Sequence, residues 1–174
     1  MQQAVKTRAG EARLTLAEVL DWMVEDGLAA RDAAEALKKE RRYYRGSLHP
    51  LVVVADQKWK HAEPPHRLLS LELLTEWLAK RFGLDYLHID PLKIDFSAVT
   101  EVMSSAYATR FRILPVAVSA KEATVATAEP GLREWEPELA RMIKRDIRRV
   151  IANPLDIERY QVEFYNLAKS IKGA

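Results

Sequence analysis

Four histidines, His49, His61, His66 and His88, are the side chains of this sequence best suited to metal or proton chemistry. His61 and His66 flank Glu63, which would supply two or three ligands. No fourth ligand stands at matching distance, as a closed tetrahedral site requires, so they read as solvated loop residues. His88 reads as exposed or hydrogen-bonded on a short strand. The glycines at 10, 27, 46, 83, 131 and 173 form neither a Gly-x-x-x-x-Gly-Lys-Ser/Thr phosphate cradle nor a dinucleotide fingerprint. Without cysteine there are no disulfides, thiolate metal sites or cysteine nucleophiles. The acids are scattered, and no carboxylate pair for proton transfer stands out. The expectation is therefore no catalytic, cofactor-binding or metal-ligating residue in this chain.

Two clusters of cations and four tryptophans remain. Lys38-Lys-Glu-Arg-Arg-Tyr-Tyr-Arg45 is basic with two aromatics, the composition of a nucleic-acid or anionic-lipid patch. A solvated helix end with cations at its C-terminal dipole also accounts for it. Lys144, Arg145, Arg148 and Arg149 form a second cluster at the start of a strand. Of Trp22, Trp59, Trp77 and Trp135, Trp77 lies beside a buried stripe, whereas Trp59 sits in a polar stretch and is the better contact anchor. The candidate protein interface is Trp59 with Lys38, Arg41, Arg42, Arg145, Arg148 and Arg149.

The elements that position these residues follow from the pattern. At 174 residues, with 48% hydrophobic and 30% charged residues, the chain is globular and fits one domain or two small ones. The net charge of +2 gives no push toward nucleic acid. The first twenty residues carry no signal-peptide pattern, and no apolar run approaches the ~20 residues of a membrane span. The expected location is cytoplasmic.

Leu14–Asp26 has helical spacing at Leu16, Val19, Leu20 and Met23, with Gly27 as its stop. A second helix is expected over about 30–44, with Ala33, Ala36 and Leu37 as its apolar stripe, so that 1–45 makes a helical subdomain. Gly46, Pro50, Pro64 and Pro65 break the pattern, and 46–69 reads as a connector, with Leu51–Val54 as a short strand or anchor. From Ser70, a good N-cap, Leu71, Leu74 and Leu78 mark a helix ending at Gly83. A strand over Tyr86–Ile89 and a helix over Phe96–Phe111 follow. The sequence RILPVAVSAKEATVATAEP predicts a hairpin with strands near Ile113–Ser119 and Thr124–Ala128. A helix then runs through Arg145, with Pro137 tolerable only near its first turn. A strand over Ile147–Ala152 and a final helix capped by Asn153 complete the chain. Ile157, Tyr160, Phe164 and Leu167 are the buried stripe of that helix. The fold class is α/β (α+β): a helix pair, a proline-containing connector, and an α/β subdomain of three to four strands over 70–174.

Several of these segments, in order, resemble the N-terminal domain of the type II secretion and type IV pilus assembly ATPases. They are Phe82-Gly-Leu-Asp-Tyr86, Ile89-Asp-Pro91, Phe111-Arg-Ile-Leu-Pro-Val116, Val125-Ala-Thr-Ala-Glu-Pro130, Asn153-Pro-x-Asp-Ile157 and Phe164-Tyr165. Glu129 stands where the family more often has Asp. Val19–Leu28 with Ala36–Glu40 looks like the helical half of the same region. The resemblance implies a non-catalytic docking and regulatory domain whose ATPase motor, with its ATP and magnesium, lies further C-terminal. It also implies a cytoplasmic hexameric parent and, as partner, the cytoplasmic domain of an inner-membrane platform protein, with no nucleic acid and no membrane span. The polar end Asn166–Ala174 is expected to be a cut within a longer protein. Some relatives bind cyclic di-GMP through an Arg-Leu-Gly start and a downstream Gln. The matching positions here are Glu18, Val19, Leu20 and Glu40, which removes the cation and the glycine and adds two acids.

Overall fold

The computed structural model describes residues 13–172, so the ends of the expected outer subdomains lie outside the described residues. The chain forms two compact units, Leu14–Trp77 and a second containing everything from Leu78 onward.

In the first unit, helix α1 (Leu16–Glu25) is capped by Thr15, whose hydroxyl accepts from the Glu18 N–H. It buries Leu16, Val19, Leu20 and Met23, the stripe expected from their spacing. The second helix, α2, spans Arg31–Lys38 only, and Arg41–Tyr44 is a separate 3-10 turn. Its buried residues are Ala34 and Leu37. Ala36 is exposed, a phase correction to the narrow stripe expected there.

Residues 46–69 are not a plain connector. Pro50–Asp56 is helix α3, with Pro50 in the first turn and the His49 ring accepting from the Leu51 N–H. Leu51 and Val54 are fully buried. The strand expected at Leu51–Val54 is thus a helix, started by a proline that costs nothing at N1. Beyond it, 59–61 and 67–69 run antiparallel. Leu69 donates to the Trp59 carbonyl at 2.8 Å, and His61 to the Arg67 carbonyl at 2.7 Å. Ala62 donates to the Leu28 carbonyl at 2.8 Å. This brings Glu63 against Gly27, where an added Cβ would lie 2.4 Å from Glu63 Oε1. Gly27 has φ +76°, so position 27 needs glycine for its backbone, while the exposed Glu63 carboxylate could swing aside from a side chain there.

Helix α4 (Leu71–Arg81) carries the chain into the second unit. There, strands β1 (Asp85–Tyr86), β2 (Ile113–Val118), β3 (Glu122–Thr127) and β4 (Asp146–Ile151) form one sheet in the order β1-β4-β3-β2. The hairpin β2–β3 is antiparallel with a bulge between Pro115 and Ala117, and β4 runs parallel to both β3 and β1. The bulge falls beside the residue that lacks an N–H. β3 is buried along all but its first residue, as expected of a strand covered on both faces.

One face packs Leu114, Val116, Ala126 and Val150 with Val99, Ile157, Tyr160 and Phe164. The other packs Ile113, Ala123 and Val125 with Ala108, Phe111, Trp135 and Leu139. These come from helices α5 (Phe96–Thr100), α6 (Ser105–Phe111), α7 (Trp135–Ile143) and α8 (Pro154–Lys172). The single helix expected over Phe96–Phe111 is two, because Ser104 takes the N-cap role and accepts from the Tyr107 N–H. Asn153 caps α8 as expected, accepting from Leu155 at 2.9 Å. Leu167, expected in its stripe, is 43% exposed, while Gln161 and Ala168 are buried. The Gln161 amide donates to the Ala108 and Ile113 carbonyls at 2.9 and 2.8 Å. It thereby satisfies the carbonyls on either side of Arg112, which stands in the left-handed region at φ 55°. Among the described residues no helix is long and apolar enough to cross a membrane.

Candidate functional site

The cation cluster on β4 is taken up by its own unit. Successive strand residues face opposite sides, so Arg148 and Arg149 part company. Arg149, with a side chain 9% exposed, lies 3.4 Å from Glu136 of α7. Its guanidinium also donates to the Pro130 carbonyl at 2.7 Å. Burial pulls its pKa down, with Arg133 adding to the effect and Glu136 opposing it. Arg148 meets Asp85 of β1 at 2.5 Å. Arg145 donates from Nε to the Ser119 carbonyl at 2.9 Å, clasping the hairpin tip. All three lie in or beside one strand, but each holds a different neighbour: α7, β1 and the β2–β3 tip.

The cluster near the end of α2 splits differently. Lys38 is held by Asp21 and by Glu35, the latter at 3.0 Å. Hydrogen bonds to those two carboxylates raise its pKa. Arg41 and Arg42 are exposed. Arg42 lies over the Tyr43 ring at 4.8 Å and has only a loose ion pair with Glu40, 3.8 Å away.

Trp59 is half-buried and sits on the antiparallel segment that replaces the expected connector. The histidines of that segment are used locally. His61 Nδ1 accepts from the Glu63 N–H at 3.0 Å, and His66 Nδ1 lies 2.9 Å from the His61 carbonyl. His88 is exposed. His49, not singled out from sequence beyond its being a histidine, is the buried cap of α3. A His-Pro pair before an apolar run was the available signal. Of the other tryptophans, Trp135 is fully buried and donates to the Leu132 carbonyl at 2.9 Å. Trp77 is half-buried and donates to Asp26 at 2.8 Å.

An open cleft of about 500 Å³ lies along α7 and β4, lined by Arg133, Glu136, Pro137, Ala140, Asp146 and Ile147. Its central carboxylate, Glu136, is already engaged by both Arg133 and Arg149. A small-ligand pocket offers convergent polar groups free for its ligand, and Glu136 is not free. The positions matching the cyclic di-GMP motif are likewise occupied. The Glu18 carboxylate accepts from the hydroxyl of the N-cap Thr15 at 2.8 Å, while Val19 and Leu20 are fully buried. Glu40 is exposed.

The MshEN domain model matches residues 82–171. The chain is 29% identical over 157 residues to the type IV pilus assembly ATPase TfpB of Acinetobacter baylyi, across 89% of this chain and 27% of that protein. It therefore spans about a quarter of that relative's length. In fold it is similar to a solved structure of MshE with cdg, with a TM-score of 0.58 at 16% identity over 88% of this chain and 100% of that one. A structure of the N-terminal domain of XpsE aligns with a TM-score of 0.43 at 15% identity, over 92% of this chain and 97% of that one. With more than half of its residues inside the matched family model, the chain belongs to the MshEN domain family.

Proposed function

We propose that this chain is the non-catalytic docking and regulatory domain of a secretion or pilus assembly ATPase. It links that motor to the cytoplasmic domain of an inner-membrane platform protein. The observation that carries the reading is the alignment with the pilus ATPase, which takes in 89% of this chain but only 27% of the relative. The chain thus corresponds to a module beside a motor. The buried contacts support a module that transmits position, since Arg149 and Gln161 bond strands to helices and Trp135 packs against the sheet. ATP and magnesium belong to the motor, which in this reading is hexameric and sits at the inner membrane through its partner. Trp59 is the proposed anchor, because a half-buried indole on an ordered antiparallel segment contributes contact area at low entropic cost. Titrating cognate platform domains into the chain tests this. Saturable binding weakened by Trp59→Ala supports it, and silence from every cognate platform domain refutes it.

A second reading is a cyclic di-GMP sensor, favoured by the likeness of fold to MshE with cdg. Weighing against it, the position of the motif glycine holds Leu20 at 0% exposure. The position of the motif arginine holds Glu18, bonded to the Thr15 hydroxyl, where a carboxylate repels a dianion.

A further inference from the structure

One short exposed segment carries a marked excess of positive charge. Between Lys39 and Leu48 there are four cations, Lys39, Arg41, Arg42 and Arg45, against one acid, Glu40, a net charge of +3. The whole chain carries +2, so everything else nets −1. All four cations are exposed. Beside them Tyr44 is 53% and Leu48 57% exposed, an aromatic ring and a leucine with much of their surface in water.

The segment is also built rather than loose. The Tyr44 hydroxyl donates to the Lys38 carbonyl at 2.7 Å. The Tyr43 hydroxyl accepts from Gln57 at 3.0 Å, and the same amide donates to the Val53 carbonyl of α3 at 3.0 Å. Two tyrosines thus fasten the 3-10 turn to the carboxyl end of α2 and to α3, while the arginines are left projecting. Lys38, by contrast, is consumed by Asp21 and Glu35 and belongs to the scaffold.

We infer that residues 39–48 form an interfacial membrane contact that seats this domain on an anionic bilayer. Cations near a surface of acidic headgroups and amphipathic or apolar side chains at the same level are the two contributions to peripheral membrane binding. A nucleic acid would use the arginines and could stack on Tyr44, but it offers nothing to Leu48. The lipid contact goes beyond docking to a platform protein and stands or falls without it.

The test is flotation of the native chain with vesicles of phosphatidylcholine alone and of phosphatidylcholine mixed with phosphatidylglycerol. The chain is expected to float only with the mixed vesicles, more as the anionic fraction rises and less as salt screens the attraction. The triple variant Arg41→Glu, Arg42→Glu, Arg45→Glu should lose at least about 100-fold in partitioning, at about fivefold for each basic residue. Leu48→Ser should lose several-fold at unchanged charge. Equal flotation on neutral vesicles, or none on anionic ones, overturns the inference with the native chain alone. So does a triple variant that melts normally and still floats. A single-stranded oligonucleotide that binds tightly and is insensitive to Leu48→Ser would reassign the segment to nucleic acid.

Discussion

Two stretches of similar composition, Lys38–Arg45 and Lys144–Arg149, have opposite fates. In the second, a β-strand sends neighbouring arginines to different faces, and each finds a partner within the unit: Glu136 with the Pro130 carbonyl, Asp85, or the Ser119 carbonyl. In the first, a helix end and a 3-10 turn commit only Lys38 and leave Arg41, Arg42 and Arg45 in water. The difference lies in what surrounds each run. A strand inside a sheet of layered helices has neighbours on every side, whereas a turn after a short helix has few. A basic run is drawn into the fold where neighbouring elements surround it with acceptors, as at Arg149.

The largest effect expected concerns Trp135, on the helix that clamps Arg149. It has no exposure, so Trp135→Ala should cost about 4 kcal/mol in urea unfolding, provided the unit unfolds in one step. Arg149→Ala, which leaves Glu136 and the Pro130 carbonyl short of a partner in a half-buried site, should cost about 2–3 kcal/mol. A loss near zero would return Arg149 to the surface and dissolve the contrast. Arg148→Ala and Arg41→Ala are each expected within about 0.5 kcal/mol of the parent, because exposed ion pairs contribute little.

A pH experiment separates burial from pairing in the same unit. Tyr165 donates to the Met103 carbonyl at 2.9 Å, and burial pushes its pKa up to about 12. Its folded value lies above the unfolded one of about 10. Its contribution is therefore present in full below pH ~10 and is lost as pH rises toward 12. Tyr165→Phe should lower stability at neutral pH and flatten the decline between those values, as followed by urea midpoints across the alkaline range. A decline of unchanged steepness would show that Tyr165 ionises as freely folded as unfolded.

Much of this was legible in the chain. Two apolar runs around the polar break at Ser119–Glu122 and the Glu129-Pro130 stop marked the hairpin, and Asn153-Pro154 marked the start of the last helix. The Leu16–Met23 spacing gave the core of the first unit. What was not legible depended on distant partners. The run Leu51–Val54 is too short for periodicity to tell helix from strand, and only the Pro50 start and the His49 cap decide it. Ser104 divides a stretch that composition reads as one helix. The stripe of α8 runs on in sequence to Leu167, but that residue stays exposed. The partners that hold Arg145, Arg148 and Arg149, two of them backbone carbonyls, leave no trace in a residue pattern. The antiparallel segment that carries Trp59 was hidden by prolines that read as a connector.

Calorimetric titration of the cognate platform protein's cytoplasmic domain into the native chain, with cyclic di-GMP titrated in parallel, tests the central claim most directly. Saturable heat is expected with the protein, reduced by Trp59→Ala and unchanged by Arg148→Ala, and none with the dinucleotide. Stoichiometric heat with cyclic di-GMP and silence from every platform domain would contradict it and make the domain a sensor.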